Sequence, residues 1–205
     1  MTPSARALRA ALVLSTMLVS GGCGATRVTR VSPEQQIDLS GYWNDVDSRQ
    51  VADAIISQSF DGESWALEYM QAHGGRKPTV IVGDVRNRSM EHIPVETFVR
   101  DLERAYLSSG QVQVVASAGE RQEVREERAD QQDNAAADTR ARMGREAGAQ
   151  YMLQGDISQI TDREGGRRVV YYQVDMTLID LETNSKTWTG QHKIKKMVEQ
   201  SRFRL

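Results

Sequence analysis

Read for the spacing of its apolar positions, the chain changes character twice. Residues 10–19, AALVLSTMLV, form an apolar run, and no later stretch approaches the roughly eighteen apolar residues of a membrane-spanning helix. The following GATRVTRVSPEQQ, Gly24–Gln36, is polar, has no sustained period and reads as a tether. Helical spacing begins in DVDSRQVADAIISQSF, where Val51, Ala54, Ile55 and Gln58 share one line after an Asp/Ser-rich start. GESWALEYMQAHGG, with Trp65, Leu67, Tyr69 and Met70, predicts a second short helix stopped by Gly74-Gly75.

The β-branched run PTVIVGDVRN, bounded by Pro78 and Arg86-Asn87, predicts a buried strand. The clearest helix comes next: Pro94 in its first turn, Val95, Phe98, Val99, Leu102 and Tyr106 on one face, Gly110 at its stop. A short strand, QVQVVAS, precedes a capping-box pair, Ser117 and Glu120, ahead of RQEVREERADQQ, a helix with almost no apolar stripe. A further helical piece is expected from about Asn134 to Glu146, ending at Gly148. Three strands close the chain, YMLQGDISQI, RRVVYYQVDMTLIDL and SKTWTGQHKIKK, separated by TDREGG and ETN. In the middle one, Val170, Tyr172, Val174, Met176 and Leu178 alternate with Tyr171, Gln173, Asp175, Thr177 and Ile179, a period of two. This order predicts a single α/β domain with a mixed sheet flanked by helices: the first strands need crossovers and the last three can form a meander.

The start of the chain is a processing signal. Arg6 and Arg9, the apolar run and the small residues Ser20-Gly21-Gly22 have the layout of a secretory signal, and the run is too short to span a bilayer. It leads to Cys23, the only cysteine, which cannot staple the fold to itself. MLVSGGCGA resembles the lipobox of bacterial lipoproteins, in which the cysteine is lipidated and becomes the first mature residue. A diacylglycerol thioether plus an N-acyl chain exceeds the two signals that stable membrane attachment needs, so Cys23 is expected to be an anchor. By the same resemblance, Gly24 favours sorting to the outer membrane. The expected organisation is a signal peptide over 1–22, lipidated cysteine and tether over 23–37, and a domain over 38–205.

Charge and motifs narrow the chemistry. Removing 1–22 takes away Arg6 and Arg9 and no acid, leaving 24 basic against 28 acidic residues, a net charge of −4. That argues against nucleic acid as the main ligand. There is no G-x-S-x-G elbow, H-E-x-x-H, Walker loop or G-x-G-x-x-G after a strand, and His73, His92 and His192 share no ligand spacing. No cofactor, metal or catalytic residue is expected. Two polar clusters stand out as candidate docking surface. Arg86, Asn87 and Arg88 follow a buried strand at its C-terminal edge, and Asp162 and Arg163 lie at a hairpin tip.

DLSGYWNDVDSR, PTVIVGDVRNRSMEHI, ETFVRDLERAYLSSGQVQVVAS, ERQEVREERADQQ and TDREGGRRVVYYQVDMTLIDLETNSKTWTGQHKIKK together resemble the LpoB lipoproteins, activators of penicillin-binding proteins, over about Asp38 to Lys196. The resemblance implies a compact domain similar to the N-terminal domain of TolB, held at the inner leaflet of the outer membrane. It implies a non-enzymatic role: binding a non-catalytic domain of a class A penicillin-binding protein and stimulating its glycan polymerisation and cross-linking. A monomer is the expected state. Two rival readings remain at this point: the soluble domain of a curli-secretion-type lipoprotein or other envelope assembly subunit, and a glycan hydrolase.

Overall fold

The computed structural model describes residues 28–33, 35–62 and 64–199. The signal segment and Cys23 lie outside the described residues. Of these, residues 36–62 and 64–199 belong to one compact unit.

Local chemistry starts each helix. Asn44 opens α1 (Asp45–Phe60) with a reciprocal capping box: its Oδ1 accepts the Asp47 N–H at 3.0 Å, and Asp47 Oδ2 accepts the Asn44 N–H at 2.9 Å. Ser64 caps α2 (Trp65–Ala72), accepting the Leu67 N–H. α3 (Val95–Ser109) follows Pro94 and ends at Gly110, whose φ of 65° is left-handed, a conformation that glycine adopts without steric cost. α4 (Ala118–Asn134) begins at the Ser117–Glu120 box.

β1 (Thr79–Asn87), β2 (Gln113–Val114), β3 (Tyr151–Glu164), β4 (Arg167–Asp180) and β5 (Lys186–Glu199) form one mixed sheet in the order β2-β1-β3-β4-β5. β1 pairs in parallel with β2 and with β3, while β3, β4 and β5 make the expected antiparallel meander. Helices α1 and α3 cover one face, α3 against β1 and α1 against β5. The core between them holds Val51, Ile55, Phe98, Leu102 and Tyr106 from the helices with Val80, Leu153, Ile157, Tyr172 and Leu178 from the sheet. The Tyr106 hydroxyl lies 3.4 Å from Ser59 Oγ, and burial pushes its pKa up to about 12.

Four expectations need correction. The further helix expected over 134–146 does not form: α4 ends at Asn134, with Ala135 as its C-cap, and turns follow. The Gln131 and Gln132 side chains take the Ala141 N–H and carbonyl oxygen, and Glu146 is drawn onto Arg125 and Arg128, so the segment folds back along α4. In α1 the inward line is Val51, Ala52, Ile55, Ile56 and Ser59; Gln58 faces out and exchanges two hydrogen bonds with the Gln191 backbone on the β5 edge. In α2, Trp65 and Ala66 are buried and Leu67 is 41% exposed. The expected 160–166 hairpin tip is mostly strand, since β3 runs to Glu164 and the turn is Gly165-Gly166 alone, φ 57° and 84°. Two consecutive positive φ values are what a two-residue hairpin loop requires.

Candidate functional site

α1 and α3 lie on the same side of the sheet; on its other face the start of α4 comes near β1, Ala118, Glu120 and Arg121 sharing a groove with Ile81, Met152 and Gln154. Alternation along each strand settles what that bare face displays. In β4 the core side is buried at Val170, Tyr172, Val174, Met176 and Leu178, and the residues between them are half-buried. Paired positions share a face, so Gln154, Thr177 and Thr189 form one row, Asp156, Asp175 and Gln191 the next, then Ser158, Gln173 and Lys193. These side chains brace one another: Gln191 and Gln173 donate to Asp175 at 2.5 and 2.8 Å, and the Tyr171 hydroxyl donates to Gln173 at 3.3 Å.

Arg86, Asn87 and Arg88 divide between the two faces. A register shift between Val82 and Val85 brings Arg86 opposite Asp156 on the bare face, where it also lines an open groove of about 710 Å³ with Arg100 and Arg121. Arg88 points the same way and donates through Nε to Asp156 at 2.6 Å. With 58% of Arg88 and 34% of Asp156 exposed, this pair is a surface contact that contributes little to stability. Asn87 faces the other side. It closes its own loop, donating to the Glu91 carbonyl at 2.7 Å and accepting from the Ser89 N–H and hydroxyl. Asn87 is therefore a loop fastener.

Asp162 and Arg163 divide in the same way. Asp162 lies on the bare face, opposite Val169; Arg163 lies on the core-facing side opposite Arg168. Neither is close to Arg86. β1 stops at Asn87, paired with Ile157, and β3 continues for seven residues to Glu164, about 20 Å further. Beyond β1 the three antiparallel strands thus project as a tongue, made of residues 158–173 and 193–199.

One side of this tongue is covered by a strap, residues 38–44, whose role had no readable period. Lys196 Nζ holds the strap through Asp38 at 3.0 Å and the Tyr42 carbonyl at 3.2 Å, and reaches α1 through Asp47 at 2.6 Å. Hydrogen bonds from Lys196, Asn44 and Gln36 keep the Asp38 carboxyl below its ordinary range. Gly41 is there because a Cβ would run into Val198 and the Arg168 guanidinium. Glu91 ties strap to sheet: it accepts the Trp43 N–H at 3.1 Å, the Tyr172 hydroxyl lies 2.7–2.8 Å from both its oxygens, and the Gln159 amide also donates to it. Burial, then the Glu91 carboxylate, raises the Tyr172 pKa far above its ordinary value. Trp43 packs edge-on against Phe98 and Tyr172. The sequence signal for this latch was the cluster of Gly41, Trp43 and Asn44 just ahead of a helix, which carries meaning only once Tyr172 and Glu91 are seen beside it.

Among the described residues no group of three His, Cys, Asp or Glu side chains could hold a metal ion, and no helix is long and apolar enough to cross a membrane. The arrangement presents an extended, largely polar sheet face with an open groove beside β1, a geometry suited to contact with a macromolecule.

The family model of the peptidoglycan-synthase activator LpoB matches residues 47–194. No curated protein sequence matches the chain. Among solved structures, the LpoB C-terminal domain from Salmonella enterica aligns at 19% identity and a TM-score of 0.38, covering 75% of this chain and 99% of that one. The LpoB C-terminal domain from Escherichia coli aligns at 14% identity and a TM-score of 0.44, covering 73% and 99%. Lipoprotein GNA1162 from Neisseria meningitidis aligns at 20% identity and a TM-score of 0.38, covering 61% and 87%. The family match takes in α1 through most of β5, the whole frame of the bare sheet face. On that match, the chain belongs to the LpoB family of peptidoglycan-synthase activators.

Proposed function

We propose that this chain is a lipoprotein, cleaved after residue 22 and anchored through Cys23 at the periplasmic face of the outer membrane, that docks on a class A penicillin-binding protein and stimulates it. In this reading residues 23–37 are a tether and 38–205 the docking domain. The observation that carries it is a sheet face left largely uncovered by helices in a member of a synthase-activator family. Family membership supports a regulatory rather than catalytic role. Arg86 and Arg88 are the proposed contacts at the base of that face, because guanidiniums pair with carboxylates and stack on aromatic rings in protein interfaces.

The direct test is glycan polymerisation by the purified class A synthase of the same organism. The wild-type chain should raise the rate. Arg86→Ala with Arg88→Ala should weaken binding by about 1–2 kcal/mol or more, with little change in thermal stability. No stimulation by the wild type would refute the reading, and a large fall in melting temperature of the variant would make these arginines structural. The anchor is tested by Cys23→Ser: the variant should leave the outer-membrane fraction after a high-salt wash, and continued pelleting there would reject Cys23 as the anchor.

A further inference from the structure

Past the end of β1 the bare face changes composition. The row Ile160, Tyr171 and Lys195 is followed by Asp162, Val169 and Met197, all on one side of the tongue. Ile160 is 67% exposed and Met197 68% exposed, while Val169 and Tyr171 beside them are half-buried. Between this patch and the Ile81, Met152 and Ile179 row at the other end of the sheet, the same face carries Gln, Thr, Ser and Asp side chains. An apolar cluster on a projecting three-stranded element has no use in the core, which lies on the opposite side of β4.

Charge is also sorted along this face. It carries Arg167, Lys193 and Lys195 with Asp162, Glu164 and Glu199, the acids and Arg167 towards the tip and the two lysines along β5 nearer the root. On the strap side, Lys196 is held by Asp38 and Asp47, and Arg168 lies over the Tyr42 ring, 4.9 Å from its centroid. On the bare side, Lys193 and Lys195 take part in no ion pair among the described residues. An apolar centre with unpaired ammonium groups at its rim is the surface that an acidic partner with a protruding apolar side chain would complement.

We infer that the bare face of the tongue, Ile160, Val169, Tyr171 and Met197 framed by Lys193 and Lys195, is a protein-docking surface whose counterpart is acidic at its edge and apolar at its centre. The inference rests on the docking role proposed above and names the chemistry of the synthase surface that would meet this face. It is distinct from the arginines at the root: Ile160 lies four residues beyond Asp156, the residue opposite Arg86, about 13 Å along β3.

The test uses the full-length lipoprotein in detergent and the purified class A synthase, with two double variants. Ile160→Asp with Met197→Asp removes the apolar centre, and Lys193→Glu with Lys195→Glu reverses the rim. Because all four side chains point to solvent, melting temperatures should stay near that of the wild type. The first variant should bind at least tenfold more weakly; the second should also weaken binding and flatten its dependence on salt between 50 and 300 mM, about a twofold change in screening length. Restored binding of the Lys→Glu variant to a synthase whose edge acids are changed to Lys would complete the case. If wild-type binding is present and both variants retain it, the tongue assignment is wrong while the docking role stands. If the wild type fails to bind at all, both fall. Vesicles containing phosphatidylglycerol provide the remaining arm: loss of vesicle binding in the variants with synthase binding intact would assign the patch to the membrane and overturn the proposal.

Discussion

α3 and α4 are near-equal in length, 15 and 17 residues, and both begin with clear signals, yet they are held by different physics. α3 buries Phe98, Leu102 and Tyr106 completely against the sheet. α4 buries no residue at all. Its stability comes from the Ser117–Glu120 box and from Glu146, which returns from the following segment to bond Arg125 at 2.8 and 3.0 Å and Arg128 at 3.1 Å. A helix can therefore be written into a chain in two ways. One depends on the rest of the molecule being folded; the other depends on its own termini and on charges that water and salt can screen.

The largest test of this difference is a paired truncation. Leu102→Ala removes a fully buried side chain and should cost about 2–5 kcal/mol in urea unfolding. Val124→Ala, the corresponding change on α4, removes a side chain 43% exposed and should stay within about 0.5 kcal/mol. Similar losses at the two positions would break the comparison.

A smaller effect separates the helices by pH. The hydrogen bond from Arg125 holds the Glu146 carboxyl below its ordinary value of 4.5, and the Ser117 backbone N–H does the same for Glu120. A lowered folded value means that these contacts contribute fully above 4.5 and are lost as pH falls below it through the lowered values. In an NMR titration, the amides of 118–146 should shift together below that point while those of Phe98–Tyr106 hold their positions. Simultaneous movement of both sets would show that α4 is coupled to the core.

The same contrast explains which parts of the fold could be read in the sequence. α3 and the meander bury one side each, so burial writes a period of 3.6 or of two into the residues, and Phe98, Leu102, Tyr172 and Val174 sit where that period puts them. The segment after α4 buries nothing. Ala135, Ala136 and Ala137 carry helical propensity, but the side chains of Gln131, Gln132 and Glu146 decide the path, and such contacts leave no period. The candidate site was half legible for a related reason. Exposure of Arg86 and Arg88 follows from the end of a buried run. That Asn87 and Arg163 turn to the other face, and that β3 outruns β1, depend on a bulge and on the pairing register, which involve two strands at once. The apolar patch on the tongue was hidden within a strand pattern that alternates on both sides.

The strap has a mechanical consequence. Whatever load reaches the domain along the chain from its N-terminal side must pass through Asp38 before any core residue. There it meets Lys196, and behind that the Glu91–Tyr172 contact beside Gly41 and Trp43. A pull at this point is borne by ion pairs and hydrogen bonds across β4 and β5, near the far end of two 14-residue strands whose many cross-links must share it. α1 begins only after those fastenings, so tugging is absorbed before it can unwind the first helix, as strain relief on a cable protects the joint behind it.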